Sequence, residues 1–314
     1  MAFRTAARRT LSSSPKLHRL RSHQASHIDL EEIDRLLFRA SRDQLWVPPG
    51  GRGVFGGQIL GQALHAATRA VGGGWGVHSL HGYFLQAGNP RHDVIYRVKE
   101  TSERRSFATR SVEALQGGDI IFKMQTSFSV RKRDATPQPS HQDDMPAGVP
   151  PPESLPSMRE SIEELLPRLP EGKVREEVLR LAQIPVDLRF VDRPDPLDPD
   201  PPKQAPVWMR VDKIDRALKE ADGIDACCAA YTSDHAFLTT ALLPHGIQLP
   251  SPKLGAVASL DHSMWFHAPF RADDWLLYDI RSPRLANSRG LALGGPRPPG
   301  PCARTSSSRT PSSR

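Results

Sequence analysis

Apolar residues recur three and four positions apart through Val54–Val71. Ile59, Leu60, Ala63, Leu64, Ala67, Ala70 and Val71 share one face, which predicts a helix. Three strand-like runs follow, and in the last of them, Asp119–Val130, the period changes to two. Ile120, Phe122, Met124, Thr126, Phe128 and Val130 point one way, and Lys123, Gln125, Ser127 and Ser129 point the other. Gly117-Gly118 supplies the hairpin turn before that strand. A second patterned stretch begins at Val207. It reads as strands at Val207–Val211 and Asp225–Thr232, then a short helix opening at Asp234, capped by Ser233 and stopped by Pro244. Strands at 254–267 and 274–281 complete it.

The two stretches correspond in order. His78-Ser-Leu-His81 parallels Ala258-Ser-Leu-Asp-His262, Asp93-Val-Ile-Tyr96 parallels Asp274-Trp-Leu-Leu-Tyr278, and Phe107-Ala-Thr-Arg110 parallels Ala286-Asn-Ser-Arg289. Where the first repeat continues into its best strand, the second continues into Gly/Pro/Ser/Arg sequence. The expectation is therefore a second repeat that lacks its last strand or strands, and a chain only weakly active as written. A long helix followed by antiparallel strands, occurring twice, predicts an α+β fold of the double-hotdog kind, with the site at the helix ends between repeats.

This divides the chain into a basic segment at 1–28, a first repeat at 29–132, a connector at 133–206, a second repeat at 207–293 and a low-complexity tail at 294–314. The connector is Pro-rich and holds one amphipathic segment, Ser157–Gln183, which Pro167 and Pro170 split into two short helices. The formal net charge of +7 sits at the two ends, since 1–28 and 294–314 contain Lys and Arg but no Asp or Glu. The body between them is slightly acidic, which argues against a nucleic-acid partner. No run approaches 18 consecutive apolar residues, so no membrane span is expected. Three cysteines without metal-ligand spacing predict reduced thiols, no metal and no cofactor. An Arg- and Ser-rich, acid-free start has the composition of a mitochondrial presequence. Lys16–Gln24 nearly matches an N-terminal peroxisomal signal, but Gln24 breaks it.

The densest signal is Val257–Phe270, VASLDHSMWFHAPF, followed by RADDWLLY. Together with FGGQILGQAL, YTSDHAFL, ALLPH and NSRG, it resembles the acyl-CoA thioesterase II family over about 45–293. The resemblance implies hydrolysis of fatty acyl-CoA to free acid and coenzyme A without a covalent intermediate, and a peroxisome as the alternative location. A homo-oligomer is left open. The family's water is oriented by an Asp, a Ser or Thr, and a Gln. The resemblance places the first at Asp234 and the second at Ser259; no residue after 293 matches the Gln-Glu-Gly stretch that would supply the third.

Those residue types suit the reaction. A thioester carbonyl is already electrophilic, so a carboxylate that polarises a water, with a hydroxyl that fixes that water, can suffice. A helix start at Asp234 would favour its charged form. Backbone N–H groups at Gly56-Gly57 could receive a developing oxyanion, with Gln58 beside them shaping a substrate pocket. No Gly-x-Ser-x-Gly elbow is present, against a serine nucleophile. His262 and His267 alternate with apolar residues and read as structural. Two other readings stand beside this one. A catalytically impaired acyl-CoA-binding paralogue would keep the pocket but lose turnover. The run Gly88-Asn-Pro-Arg-His-Asp93 resembles that of hotdog enoyl-CoA hydratases, but Ala87 stands where their base should be.

Overall fold

The computed structural model describes residues 27–130, 139, 141, 144–192, 206–212, 214, 223–235, 237–247, 254–255 and 257–297. The expectations for 1–26 and 298–314 fall outside the described residues. The first half runs β1 (Glu31–Asp34), β2 (Leu37–Ala40), α1 (Gly56–Val71), β3 (Trp75–Phe84), β4 (Val94–Glu103), β5 (Phe107–Gln116) and β6 (Asp119–Val130). Four strands, not three, follow α1. Short helices α2 (Met158–Leu165) and α3 (Lys173–Leu181) come next, divided near Pro167 and Pro170 as expected, with Ser157 and Glu160 closing a capping box. The second half is β7 (Val186–Phe190), β8 (Val207–Val211), α4 (Ile224–Ser233), α5 (Phe237–Thr240), β9 (Asp261–Trp265), β10 (Leu276–Ala286) and β11 (Arg289–Arg297).

Two antiparallel sheets result, ordered β1-β2-β4-β5-β6-β3-β9 and β11-β10-β8-β7. β9 leaves its own repeat to pair with β3, Leu80 facing Met264, and so carries the second repeat's signature block onto the first repeat's sheet. α1 lies across the first sheet with its apolar face buried; Leu60, Ala63 and Leu64 are fully inaccessible. On β6 the alternation holds for Phe122, Met124, Thr126 and Phe128, each inward, at about 1.5–3 kcal/mol for each large apolar side chain. One residue departs from it. The ladder steps from Ala114↔Phe122 to Leu115↔Ile120, so Ile121 is an extra residue, and it too is buried.

Several expectations for the second half need correction. Asp225–Thr232 lies within α4, a helix rather than a strand. Every residue of α4 except Asp225 is buried, so no polar stripe marks a period of 3.6 in the sequence. Ser233 ends α4 instead of capping a helix after it, and α5 is four residues long. The strand expected at 254–267 shrinks to β9, the one expected at 274–281 runs over 276–286, and β11 at 289–297 was not expected. The second repeat thus extends past the expected boundary at 293, because Gly294, Gly295 and Pro296 still pair with Ile280, Asp279 and Tyr278. The connector boundary at 206 also moves, since β7 belongs to the second sheet.

α1 and α4 pack against each other along a seam of glycines. A Cβ at Gly57 would stand 2.4 Å from the Tyr231 carbonyl oxygen, and one at Gly61 would stand 3.0 Å from that of Cys227. Residue numbers rise along one helix as they fall along the other, so the helices are antiparallel. The start of α1 therefore meets the end of α4.

Candidate active site

Asp234 sits at that meeting point. It is the C-cap residue of α4 (φ −82°, ψ −4°) and is 6% exposed. The expectation that its own helix stabilises its charge is therefore reversed, because a helix C-terminus carries partial negative charge. The compensation comes from the facing helix: the backbone N–H of Gly57, in the first turn of α1, donates to the carboxylate. Ser259 Oγ donates to Asp234 Oδ1 at 3.0 Å. Burial nevertheless dominates and pushes the carboxyl up from 3.8 to about 6, with the Ser259 and Gly57 hydrogen bonds pulling the other way.

The structure thus brings Asp234, Ser259, Gly56 and Gly57 together. A Cβ on Gly56 would lie 2.7 Å from Asp234 Oδ2 and 3.1 Å from Phe84, so only glycine leaves the carboxylate its place. Gln58 is turned away into the scaffold. Its Oε1 accepts from Trp46 N at 2.8 Å, and its Nε2 donates to the carbonyls of His27 (3.0 Å) and Gln44 (2.8 Å). It pins the segment before α1, which corrects the expectation that it shapes a substrate pocket.

A second layer holds the acid in place. His262 stands with Nε2 3.0 Å from Ser233 Oγ and Nδ1 3.9 Å from Asp234 Oδ1. Burial lowers this ring to about 4, so it is neutral at pH 7. The Ser233 hydroxyl lies 2.9 Å from the Ala230 carbonyl, and Tyr278 donates to the Ser233 carbonyl at 2.8 Å. Phe237 meets both His262 and Tyr278 edge-on, at 5.1 and 5.4 Å between centroids. Behind Asp234, His235 stacks on Phe55 at 4.4 Å, and burial lowers its ring to about 3. Ser233, Phe237 and Tyr278 lie in blocks the sequence singled out, but their support of His262 and Asp234 was not expected, because it depends on which segments pack together. His267 is exposed, and nothing in the structure links it to Asp234.

The hydratase-like run is a turn. His92 N donates to the Asn89 carbonyl, and Gln116 ties down Asn89 N, Asn89 O and His92 O. Among the described residues no group of His, Cys, Asp or Glu could hold a metal ion, and no helix is long and apolar enough to cross a membrane.

Comparison with known proteins matches two stretches of the chain. Residues 203–295 match the family model for acyl-CoA thioesterase, and residues 44–129 match that for the acyl-CoA thioesterase N-terminal domain. The chain is 45% identical over 281 residues to acyl-coenzyme A thioesterase 8 of Homo sapiens, covering 85% of this chain and 81% of that one. It is 33% identical over 269 residues to acyl-CoA thioesterase 2 of Haemophilus influenzae, covering 85% and 88%. Among solved structures, the acyl-CoA thioesterase II TesB2 from Mycobacterium marinum superposes with a TM-score of 0.63 at 33% identity, over 88% of this chain and 90% of that one.

Proposed function

The chain belongs to the acyl-CoA thioesterase family, and from that premise we propose that it hydrolyses fatty acyl-CoA to free fatty acid and coenzyme A at Asp234 and Ser259. The observation that carries this reading is the Ser259 Oγ–Asp234 Oδ1 hydrogen bond of 3.0 Å, set where the start of α1 meets the end of α4. A water held between these groups gives its proton to the Asp234 carboxylate as its oxygen adds to the thioester carbonyl carbon. Gly57 N–H is already engaged with Asp234, so negative charge developing on the carbonyl oxygen falls to Gly56 N–H. Collapse of the tetrahedral adduct breaks the carbon–sulfur bond, and the departing thiolate takes up the proton from Asp234. Ser259 orients the water and forms no bond to the acyl group.

Purified protein should release free thiol from fatty acyl-CoA, and Asp234→Ala should lower kcat by about 10²-fold or more. Unchanged turnover in that variant would overturn the assignment. A second reading is an acyl-CoA binder without turnover. Thermal stabilisation by acyl-CoA without thiol release would select it.

Delivery to an organelle completes the proposal. The acid-free, Arg-rich composition of 1–28 favours the mitochondrial matrix, while the family resemblance favours the peroxisome. A fluorescent reporter carrying residues 1–30 should be imported into mitochondria; punctate peroxisomal signal would reverse that ranking, and diffuse cytosolic signal would remove both.

A further inference from the structure

The proposed hydrolysis gives His262 no part, yet this ring is buried beside the base. It points inward from β9, while its neighbours Asp261 and Ser263 face the other side of the strand. Ser233 and Asp234 meet it from the end of α4, and Phe237 meets it from α5. Of the titratable groups around it, Asp234 comes within 3.9 Å, and Tyr278 on β10 is turned to the Ser233 carbonyl. His235 lies behind Asp234, stacked on Phe55.

Which ring nitrogen carries the hydrogen follows from the accounts of Ser233. Its hydroxyl has one hydrogen and three neighbours. The Ala230 carbonyl oxygen stands 2.9 Å away and Met264 Sδ 3.5 Å away, and both can only accept. His262 Nε2, at 3.0 Å, is the one of the three able to supply a hydrogen. If the hydroxyl donated to Nε2 instead, its oxygen would face the Ala230 oxygen at 2.9 Å with no proton between them. The satisfied arrangement is a chain: His262 Nε2–H donates to Ser233, and Ser233 O–H donates to Ala230. The ring is uncharged near neutrality because burial disfavours its cation. Its single hydrogen is therefore spent on Ser233, and Nδ1, the nitrogen turned toward Asp234 Oδ1, is bare.

We propose that His262 is a positioning residue of the hydrolytic site: Ser233 holds it as the Nε2–H tautomer, and its bare Nδ1 faces Asp234 and makes that carboxylate a stronger base. The inference rests on the reading of Asp234 as the base. A ring nitrogen without a hydrogen presents its lone pair, the negative end of the ring's dipole. Facing Oδ1, it opposes the carboxylate while that group is charged, and the opposition ends once the proton of water has arrived. It also adds no donor to the two, Ser259 and Gly57, that already favour the charged form. A third would blunt the base.

The test labels the histidines of the full chain with 15N and reads the ring nitrogens of His262 by NMR, its signals assigned by their loss in His262→Gln. Protonated and bare ring nitrogens resonate far apart, so the tautomer is read directly. A hydrogen on Nε2 and none on Nδ1 is expected at neutral pH; a hydrogen on Nδ1, or on both nitrogens, would overturn the proposal. The Nδ1 signal should also step as Asp234 titrates, and the step should vanish in Asp234→Asn. A step that persists there would equally overturn it. Rates supply the second arm. His262→Gln keeps a donor for Ser233 and leaves the Nδ1 position empty, while Ser233→Ala keeps the ring and frees its hydrogen to move to Nδ1. Each should shift the acid limb of kcat/KM to lower pH by about half a unit, with KM within about twofold of the parent. A rate lowered at every pH with the limb unmoved is what packing alone predicts, and it would overturn the proposal. A parent that releases no thiol would overturn the hydrolytic reading instead, since the tautomer and its step are read without turnover.

Discussion

Asp234 holds its charge against its surroundings, and that conflict is what fits a carboxylate to act as a base near neutrality. Its pKa of about 6 means that kcat/KM should rise with pH through a limb near 6 and level off above it, which a pH–rate profile on an acyl-CoA substrate will check. The same shift makes a statement about stability. An unfolded Asp234 loses its proton near 3.8 but the folded one near 6, so the folded state is favoured at low pH, and that contribution is lost as pH rises from about 4 to 6. Asp234→Asn escapes the loss and should be more stable than the parent above pH 6 by about 3 kcal/mol, measured by denaturant titration. The pair Asp234–Ser259 was legible because both residues lie in short, dense motifs. Which helix end would face the acid was not, because that depends on how two segments far apart in the chain are packed.

At the level of elements, the long periodic helix α1 and the alternating strand β6 were readable, since each shows water one face and the core the other. α4 was not. A run such as IDACCAAYTS, covered on nearly every side, carries no record of its period, and small residues suit a strand as well as a helix until a neighbouring helix is seen against it. The role of Gln58, at the start of α1, was hidden for a related reason. Gln58 looked like a pocket residue because it follows two glycines, yet its amide is spent on three backbone groups of 27–46. Gln58→Leu keeps the volume and strands those groups, so the folded state should lose about 2–4 kcal/mol while the thiol-release rate of the remaining folded protein changes little. A collapse in kcat with stability intact would return Gln58 to the substrate side.

Across the whole molecule the duplication is the organising fact, and it was visible as paired sequence blocks before any coordinates. The fate of β9 was hidden, because the sequence shows that two blocks correspond but not that the second will pair with the first across sheets. The antiparallel contact of α1 and α4 has a further consequence. Where the start of α1 meets the end of α4, Gly56 and Gly57 are pressed against Asp234 and the Tyr231 carbonyl with no room for a methyl group, and Gly61 is tight against Cys227. Beyond the other end of α1, Gly72, Gly73 and Gly74 have nothing within 4 Å of where a Cβ would be. Gly57→Ala should therefore cost about 1–3 kcal/mol and disturb turnover, whereas Gly73→Ala should be silent in both melting and thiol release. The glycines after α1 are constrained differently: Gly72 (φ 79°) and Gly74 (φ 86°) hold a left-handed backbone that resists side chains despite the open space, and Gly73 alone of the three is free to change, so a substitution map should show one tolerant position between two intolerant ones.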